Sequence, residues 1–202
     1  VVPERYEEIF EKGPHPVYKS IRYADYALER FFEKISQTSW YKNTLFVITG
    51  DHTNTMTHNE YLNGYGIFSV PILFFHPSDP TLARQEDIIF SQIDVMPTVL
   101  GYLHYDKPYF AFGHDFFREE IKDNGITINY SEPFFQIYKD SMLLQFDGKD
   151  CVAMYNFVED KTLSNNLKGQ YPEQEEDMIT YLKAYIQQYI YCIINNKLTQ
   201  SR

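Results

Sequence analysis

A strand that stops at an acid and a histidine is the feature that most constrains this chain. Residues 44–55 read TLFVITGDHTNT, so an apolar and β-branched run reaches Gly50 and is followed by Asp51 and His52. The apolar run over residues 45–49 predicts a strand that is buried on both faces in a parallel sheet. Side chains just beyond the carboxyl end of such a strand open into the crevice where α/β sheets place their ligands.

The Asp51–His52 pair allows two interpretations. A carboxylate oxygen and a neutral imidazole nitrogen suit Zn²⁺ or Mn²⁺. Alternatively, the Asp caps the next turn and the His makes a local hydrogen bond, and for an isolated pair this interpretation is favoured because such dipeptides are common. His58 follows in a polar loop, where it is a candidate for binding substrate oxygens, with a solvated loop histidine as the equal alternative.

The residues on either side of the pair follow an α/β pattern. Apolar residues at helical spacing predict a helix over residues 18–36, and a second apolar run over 70–75 predicts another strand. A short helix is predicted over 94–103, with Pro97 in its first turn. The order helix, strand, loop, strand, helix predicts an α/β fold in which part of a sheet is flanked by helices.

The pattern changes after about residue 120. Four short strand-like runs are separated by turn residues at hairpin spacing, and they span residues 126–130, 134–138, 142–146 and 152–157. A last helix is predicted from Pro172 to about Asn195. We therefore expect two parts: an α/β core over residues 1–120, and a small antiparallel β subdomain with a terminal helix over residues 121–202.

Composition excludes some classes of function. The chain has 202 residues and a formal net charge of −10, so its surface repels phosphate backbones and nucleic-acid binding is not expected. No apolar run has the length of a membrane span, and Cys151 and Cys192 lack metal-ligand spacing. The first residue is Val rather than Met, so we expect the chain to be part of a longer protein with any anchor upstream.

Five segments between about residues 18 and 117 occur in an order and spacing typical of one superfamily. They are VYKSIRYADYALERFFEKI, YKNTLFVITGDHTN, VPILFFHP, FSQIDVMPTVLGYL and FGHDFF. Together they resemble the alkaline phosphatase and sulfatase superfamily. The closer resemblance is to its lipoteichoic acid synthase-like branch, the phosphoglycerol transferases, and it covers only the C-terminal portion of such proteins.

The resemblance implies a metal-dependent active site. In such enzymes a threonine nucleophile, an upstream glutamate and an Asp–His pair hold a divalent metal, usually Mn²⁺, with Zn²⁺, Mg²⁺ or Ca²⁺ as alternatives. Asp51 and His52 match that pair, and they are the two metal ligands that the resemblance implies in this chain. The threonine and the glutamate belong to segments before Val1, and His15 in PHPV is interpreted as a loop residue rather than a substitute. We therefore expect an incomplete site in this chain and no activity from the chain alone.

The resemblance also implies a substrate class and a location. We expect a phosphoglycerol transferase or phosphodiesterase, ahead of a sulfatase, that acts on a phosphate or sulfate ester linked to a lipid or a glycan. The expected partner is the missing N-terminal part of the same protein, and the expected location is the extracytoplasmic face of a membrane. The alternative is a non-catalytic or degenerate module of the same fold that binds a partner or a glycan.

Overall fold

The computed structural model describes residues 2–6, 13, 15–53, 58–83, 88–117 and 125–199. Their contacts group the chain into two compact units. The first unit contains Val1–Thr57 and Ser69–Gln85, and the second contains His58–Phe68 and Glu86–Arg202. The domain boundary expected near residue 120 falls within the second unit and stays a prediction.

The first unit contains one long helix and two short strands. These are α1 (Val17–Ile35), β1 (Phe46–Thr49) and β2 (Ile72–Phe75), so the helix and both strands predicted for this part of the chain are present. The Phe32 ring of α1 packs edge-on against the rings of Phe46 and Phe75, with centroids 5.2 and 5.9 Å apart. This aromatic contact holds the helix on one face of the strand pair.

The two strands pair antiparallel, with Phe46 opposite Phe75 and Thr49 opposite Ile72. The predicted parallel arrangement is therefore wrong for this pair, and the strands are half-buried rather than covered on both faces. The described residues between the strands form only short 3₁₀ turns. A parallel pair needs a longer crossover, usually through an α-helix, and none is described between these strands.

Apolar side chains of the first unit remain exposed. Ile21, Leu28 and Phe31 on α1 are 50, 40 and 47% exposed, and Leu73 on β2 is 53% exposed. Within the described residues, each of the two strands pairs along one edge only. Open strand edges and exposed apolar side chains are features that proteins normally cover with another element.

The second unit contains the predicted antiparallel sheet and the predicted terminal helix. The sheet has the order β3-β4-β5-β6, and its elements are β3 (Ile126–Ser131), β4 (Phe134–Lys139), β5 (Met142–Phe146) and β6 (Cys151–Asn156). One face of the sheet packs on α3 (Pro172–Ile194) through Ile137, Leu144, Met154, Met178 and Leu182, none of which is exposed to solvent. Within the described part of the chain, no helix combines the length and the apolar composition that a membrane crossing needs.

A short helix, α2 (Val95–Tyr102), is locked to the turn at residues 112–117. The carboxylate of Asp94, which is 2% exposed, accepts hydrogen bonds from the backbone N–H groups of Ser91 and His114, both at 2.7 Å. The Thr98 hydroxyl donates to the His114 carbonyl and accepts from Phe116 N, both at 3.2 Å. The segments FSQIDVMPTVLGYL and FGHDFF therefore form one interlocked structure.

The turn after β6 is built around the carboxylate of Asp160. It accepts hydrogen bonds from the backbone N–H groups of Asn165 at 2.8 Å, Ser164 at 2.7 Å and Thr162 at 3.2 Å, and from the Thr162 hydroxyl at 2.7 Å. These donors, led by the Asn165 N–H, lower the pKa of Asp160 from 3.8 to about 2. Because hydrogen bonds favour the charged form, the ionised carboxylate stabilises this turn.

The Asp160 turn should lose stability in acid. Since its folded pKa of about 2 lies below the unfolded value of 3.8, its contribution is complete above that unfolded value and disappears as the pH falls towards 2. We expect the difference in Tm between the native chain and Asp160→Asn, which keeps a carbonyl acceptor without the charge, to shrink between pH 5 and 2. Thermal unfolding followed by circular dichroism measures it, and a difference independent of pH would contradict the role of the charge.

Candidate functional site

Asp51 and His52 lie directly beyond the carboxyl end of β1, as the sequence predicts. Their side chains are exposed by 88 and 53%. Asp51 Oδ1 accepts a hydrogen bond from His52 N at 2.9 Å, and Asp51 Oδ2 lies 3.6 Å from His52 Nε2. The His52 N–H, followed by the neighbouring imidazole, lowers the pKa of Asp51, so its carboxylate is ionised at neutral pH.

The second ring nitrogen of His52 contacts a backbone carbonyl. His52 Nδ1 lies 2.9 Å from the oxygen of Thr53. A proton on Nδ1 donates to that oxygen and leaves the lone pair of Nε2 directed away from it, the arrangement that most metal-binding histidines adopt. The turn therefore orients the ring by a contact with its own backbone.

The pair fits one side of a divalent metal site. Metal–nitrogen and metal–oxygen bonds are about 2.0–2.2 Å long, so two ligands of one ion lie roughly 3–4 Å apart. The separation of 3.6 Å between Nε2 and Oδ2 falls in that range. Among the described residues, the structure shows no group of three or more His, Cys, Asp or Glu that could hold a metal.

His58 belongs to the second unit, whereas Asp51 and His52 belong to the first. It is exposed and immediately precedes a 3₁₀ turn over Asn59–Tyr61, and its ring stands edge-on to that of Tyr61 with centroids 6.4 Å apart. A role in substrate binding stays a prediction.

The other candidates have structural roles. His15 Nδ1 accepts a hydrogen bond from Val17 N at 3.3 Å, so it makes a local contact just before α1. Cys151 and Cys192 are buried free thiols, and burial raises the pKa of Cys151 to about 11, which keeps it protonated at neutral pH. None of the three belongs to a group of three or more metal-ligating side chains among the described residues.

Sequence patterns did not identify the residues that support the His58 segment. Asn63 and Tyr138 hydrogen-bond across this part of the second unit, and no sequence motif marks either of them as functional. One signal was available in the sequence. Polar side chains alternate with apolar ones in ITINYS and in FQIYK, which indicates a sheet with a polar second face.

The fold is similar to that of a solved protein of the alkaline phosphatase superfamily. A crystal structure of a superfamily protein from Vibrio parahaemolyticus matches all of the chain with a TM-score of 0.78 and 21% identity, and the match covers 47% of that protein. The chain belongs to the sulfatase family, whose model matches residues 2–105. The superfamily predicted from the sequence is therefore confirmed.

Two curated relatives are enzymes with different names and activities. An arylsulfatase of Clostridium perfringens is 29% identical over 99 residues, which are 45% of this chain and 20% of that protein. Lipoteichoic acid synthase 1 of Bacillus subtilis is 29% identical over 120 residues, which are 52% of this chain and 18% of that protein. The chain thus matches about a fifth of the length of these relatives.

Proposed function

We propose that this chain is part of a metal-dependent enzyme that transfers or hydrolyses phosphate or sulfate esters, with phosphoglycerol transfer or phosphodiester hydrolysis as its reaction. The observation that supports the proposal most directly is the geometry of Asp51 and His52, whose Oδ2 and Nε2 atoms lie 3.6 Å apart just beyond β1. The similarity to a lipoteichoic acid synthase supports the phosphoglycerol class.

The role of this chain is to supply two oriented ligands. Asp51 provides a charged oxygen, and His52 provides a nitrogen oriented by the Thr53 carbonyl. Mn²⁺ is the preferred metal, with Zn²⁺, Mg²⁺ and Ca²⁺ as alternatives. A divalent ion held there would lower the pKa of an attacking hydroxyl and neutralise charge on the ester oxygens.

The remaining ligands and the threonine nucleophile come, in this proposal, from the N-terminal part of the same protein. Two observations support it. The chain matches only 47% of the similar crystal structure, and the first unit presents exposed apolar side chains and open strand edges. A further part of the fold that covers this surface would bring its own ligands to the site.

The relatives support the proposed substrate class and location. The similarity to an arylsulfatase and to a lipoteichoic acid synthase supports a phosphate or sulfate ester on a lipid or glycan, which we propose as the substrate. The similarity to the synthase favours the extracytoplasmic face of a membrane for the longer protein. His58 is proposed to contact an oxygen of the ester.

Metal titration of the chain tests the proposal. Zinc sites with four donors bind with about 10–16 kcal/mol, so two donors supply about half of that and a dissociation constant no tighter than ~1 μM. We expect calorimetry to show weak binding of Mn²⁺ and Zn²⁺ that disappears in the Asp51→Ala, His52→Ala double variant. His15→Ala is the matched control and should bind like the native chain.

The outcomes separate the alternatives. Weak binding that the double variant loses supports a shared site. Tight binding that the double variant loses means that the chain completes its own site, so the proposal of upstream ligands is wrong. Equal binding by both proteins means that the pair is not a ligand set, which favours a non-catalytic module. Robust hydrolysis of a phosphodiester by this chain alone would also contradict the proposed division of the site.

A further inference from the structure

The segment that carries His58 is packed on the antiparallel sheet of the second unit. We call residues His58–Phe68 the His58 loop. The ring of Tyr65 in this loop lies 5.0 Å from that of Phe157 and 6.3 Å from that of Tyr138. The loop therefore packs through Tyr65 on one face of the antiparallel sheet, and the opposite face of that sheet packs on α3.

A buried hydroxyl ties the loop to β4. Tyr138 is 6% exposed, and its hydroxyl lies 3.1 Å from the carbonyl oxygen of Gly64 and 2.9 Å from Gln136 Oε1. Gln136 is 1% exposed. The hydroxyl has one proton and donates to one of these two oxygens at a time. Because an unpaired polar group at such burial is costly, donation to the Gly64 carbonyl favours this position of the loop.

A side-chain amide provides a second tether. Asn63 Oδ1 accepts hydrogen bonds from Tyr65 N at 3.0 Å and Gly66 N at 2.9 Å, which closes the turn inside the loop. Asn63 Nδ2 donates to the carbonyl oxygen of Lys161 at 2.9 Å. Lys161 follows Asp160, so the turn built on that carboxylate presents the acceptor for the loop.

Close backbone packing connects the hydrogen-bonded end of the loop to the turn next to His58. Gly66 is buried, and a Cβ built on it would overlap Glu60 O and lie 2.6 Å from Tyr61 Cα. Tyr61 N donates to the His58 carbonyl at 3.0 Å, and the two rings stand edge-on. The anchored end of the loop thus determines where the Tyr61 turn and the His58 ring lie.

We infer that Asn63 and Tyr138 are positioning residues that hold His58 in place to bind an oxygen of the phosphate or sulfate ester. The inference rests on the proposed function for the role of His58, whereas the tether itself rests on the hydrogen bonds and packing of the second unit. In this arrangement the antiparallel sheet, beyond its structural role, sets the position of a substrate-binding residue.

Removing one hydroxyl tests the tether. Tyr138→Phe keeps the ring contacts with Tyr65 and Phe157 and loses the hydroxyl that contacts the Gly64 carbonyl and Gln136 Oε1. Loss of one such bond should speed amide hydrogen exchange at Gly66 and Ile67 about fivefold while Leu144 in the sheet exchanges as before. Tyr130→Phe, on an exposed ring of β3, is the matched control and should leave the loop unchanged.

A second variant separates the two tethers. Asn63→Asp keeps an acceptor for the Tyr65 and Gly66 N–H groups and loses the donor to the Lys161 carbonyl. We expect a similar increase in loop exchange and a weaker nuclear Overhauser effect between the His58 and Tyr61 rings. If neither Tyr138→Phe nor Asn63→Asp changes amide hydrogen exchange in the His58 loop, these hydrogen bonds do not hold the loop in place.

Inorganic phosphate provides the functional readout. Its titration should produce a saturable shift of the His58 imidazole resonance, and Tyr138→Phe should raise the apparent Kd at least threefold at a temperature where the variant is fully folded. A purely structural role would lower Tm without changing this Kd, and that result would overturn the inference. A different result is that phosphate leaves the His58 resonance of the native chain unshifted while amide hydrogen exchange in the His58 loop is still faster in Tyr138→Phe. That result would contradict the role of His58 in binding the ester and would still support the tether.

Discussion

Replacement of Gly101 by Ala should destabilise the second unit by about 2 kcal/mol or more. A Cβ at this position would overlap the carboxylate of Asp115, which is 7% exposed and accepts a hydrogen bond from Phe117 N at 3.0 Å. In a helix, Ala is normally more stabilising than Gly by up to ~1 kcal/mol. Overpacking costs about 1–3 kcal/mol and dominates here, because the short, buried Asp115 side chain has little room to move aside. Thermal unfolding should show a fall in Tm of roughly 4–8 °C.

A double-mutant cycle identifies the cause. Asp115→Ala removes the carboxylate, so Gly101→Ala should cost much less in that background, and the two changes should be strongly non-additive. Equal costs in both backgrounds would mean that the overlap with Asp115 is not the source of the effect. A Tm above that of the native chain would show that α2 tolerates the methyl group and that helix propensity dominates.

Elements whose residues repeat with a clear period were predictable from the sequence. The four strands between residues 126 and 156 and the helix from Pro172 to Ile194 follow the predicted ranges within one or two residues. Each strand has its own alternating pattern and each hairpin its own turn residues, such as Asp140 and Gly148 with positive φ. Local signals were enough because each strand pairs with its neighbour in the sequence.

The direction of pairing between β1 and β2 was not predictable in the same way. Both are short apolar runs, and such runs contain no information about the partner strand or its direction. The residues between them do not resemble a hairpin turn, so a parallel arrangement was expected. The antiparallel register is a property of the folded chain that neither strand encodes by itself.

The candidate site likewise has one part that is predictable from local sequence and one part that is not. Asp51 and His52 were identifiable because they are adjacent in sequence and follow a strand. The support of the His58 loop depends on contacts across 74 residues, from Tyr138 to Gly64, and across 98 residues, from Asn63 to Lys161. Hydrogen bonds at such separations leave no local pattern, and only the alternation of polar residues in β3 and β4 indicated that this face has polar partners.

The His58 loop should be most sensitive to a methyl group at Gly66. Two backbone groups, Glu60 O and Tyr61 Cα, occupy the space that a Cβ would need. Because backbone atoms cannot move without opening the turn, Gly66→Ala should cost the loop about 3 kcal/mol, the upper part of the range for overpacking. Amide hydrogen exchange at Ile67 should become about a hundredfold faster, and the contact between the His58 and Tyr61 rings should be lost.

Gly64→Ala is the matched comparison within the same loop. Its Cβ would lie 2.5 Å from Gln136 Nε2, the end of a side chain. A shift of that amide, which weakens its contact with the Tyr138 hydroxyl, can relieve the overlap without opening the backbone. We expect a loss of about 1 kcal/mol, with His58 still in contact with Tyr61. If both variants lose that contact equally, the loop depends on its packing against the sheet as much as on its internal turn. If neither loses it, His58 is held by its own 3₁₀ turn and the close approach at Gly66 does not determine its position.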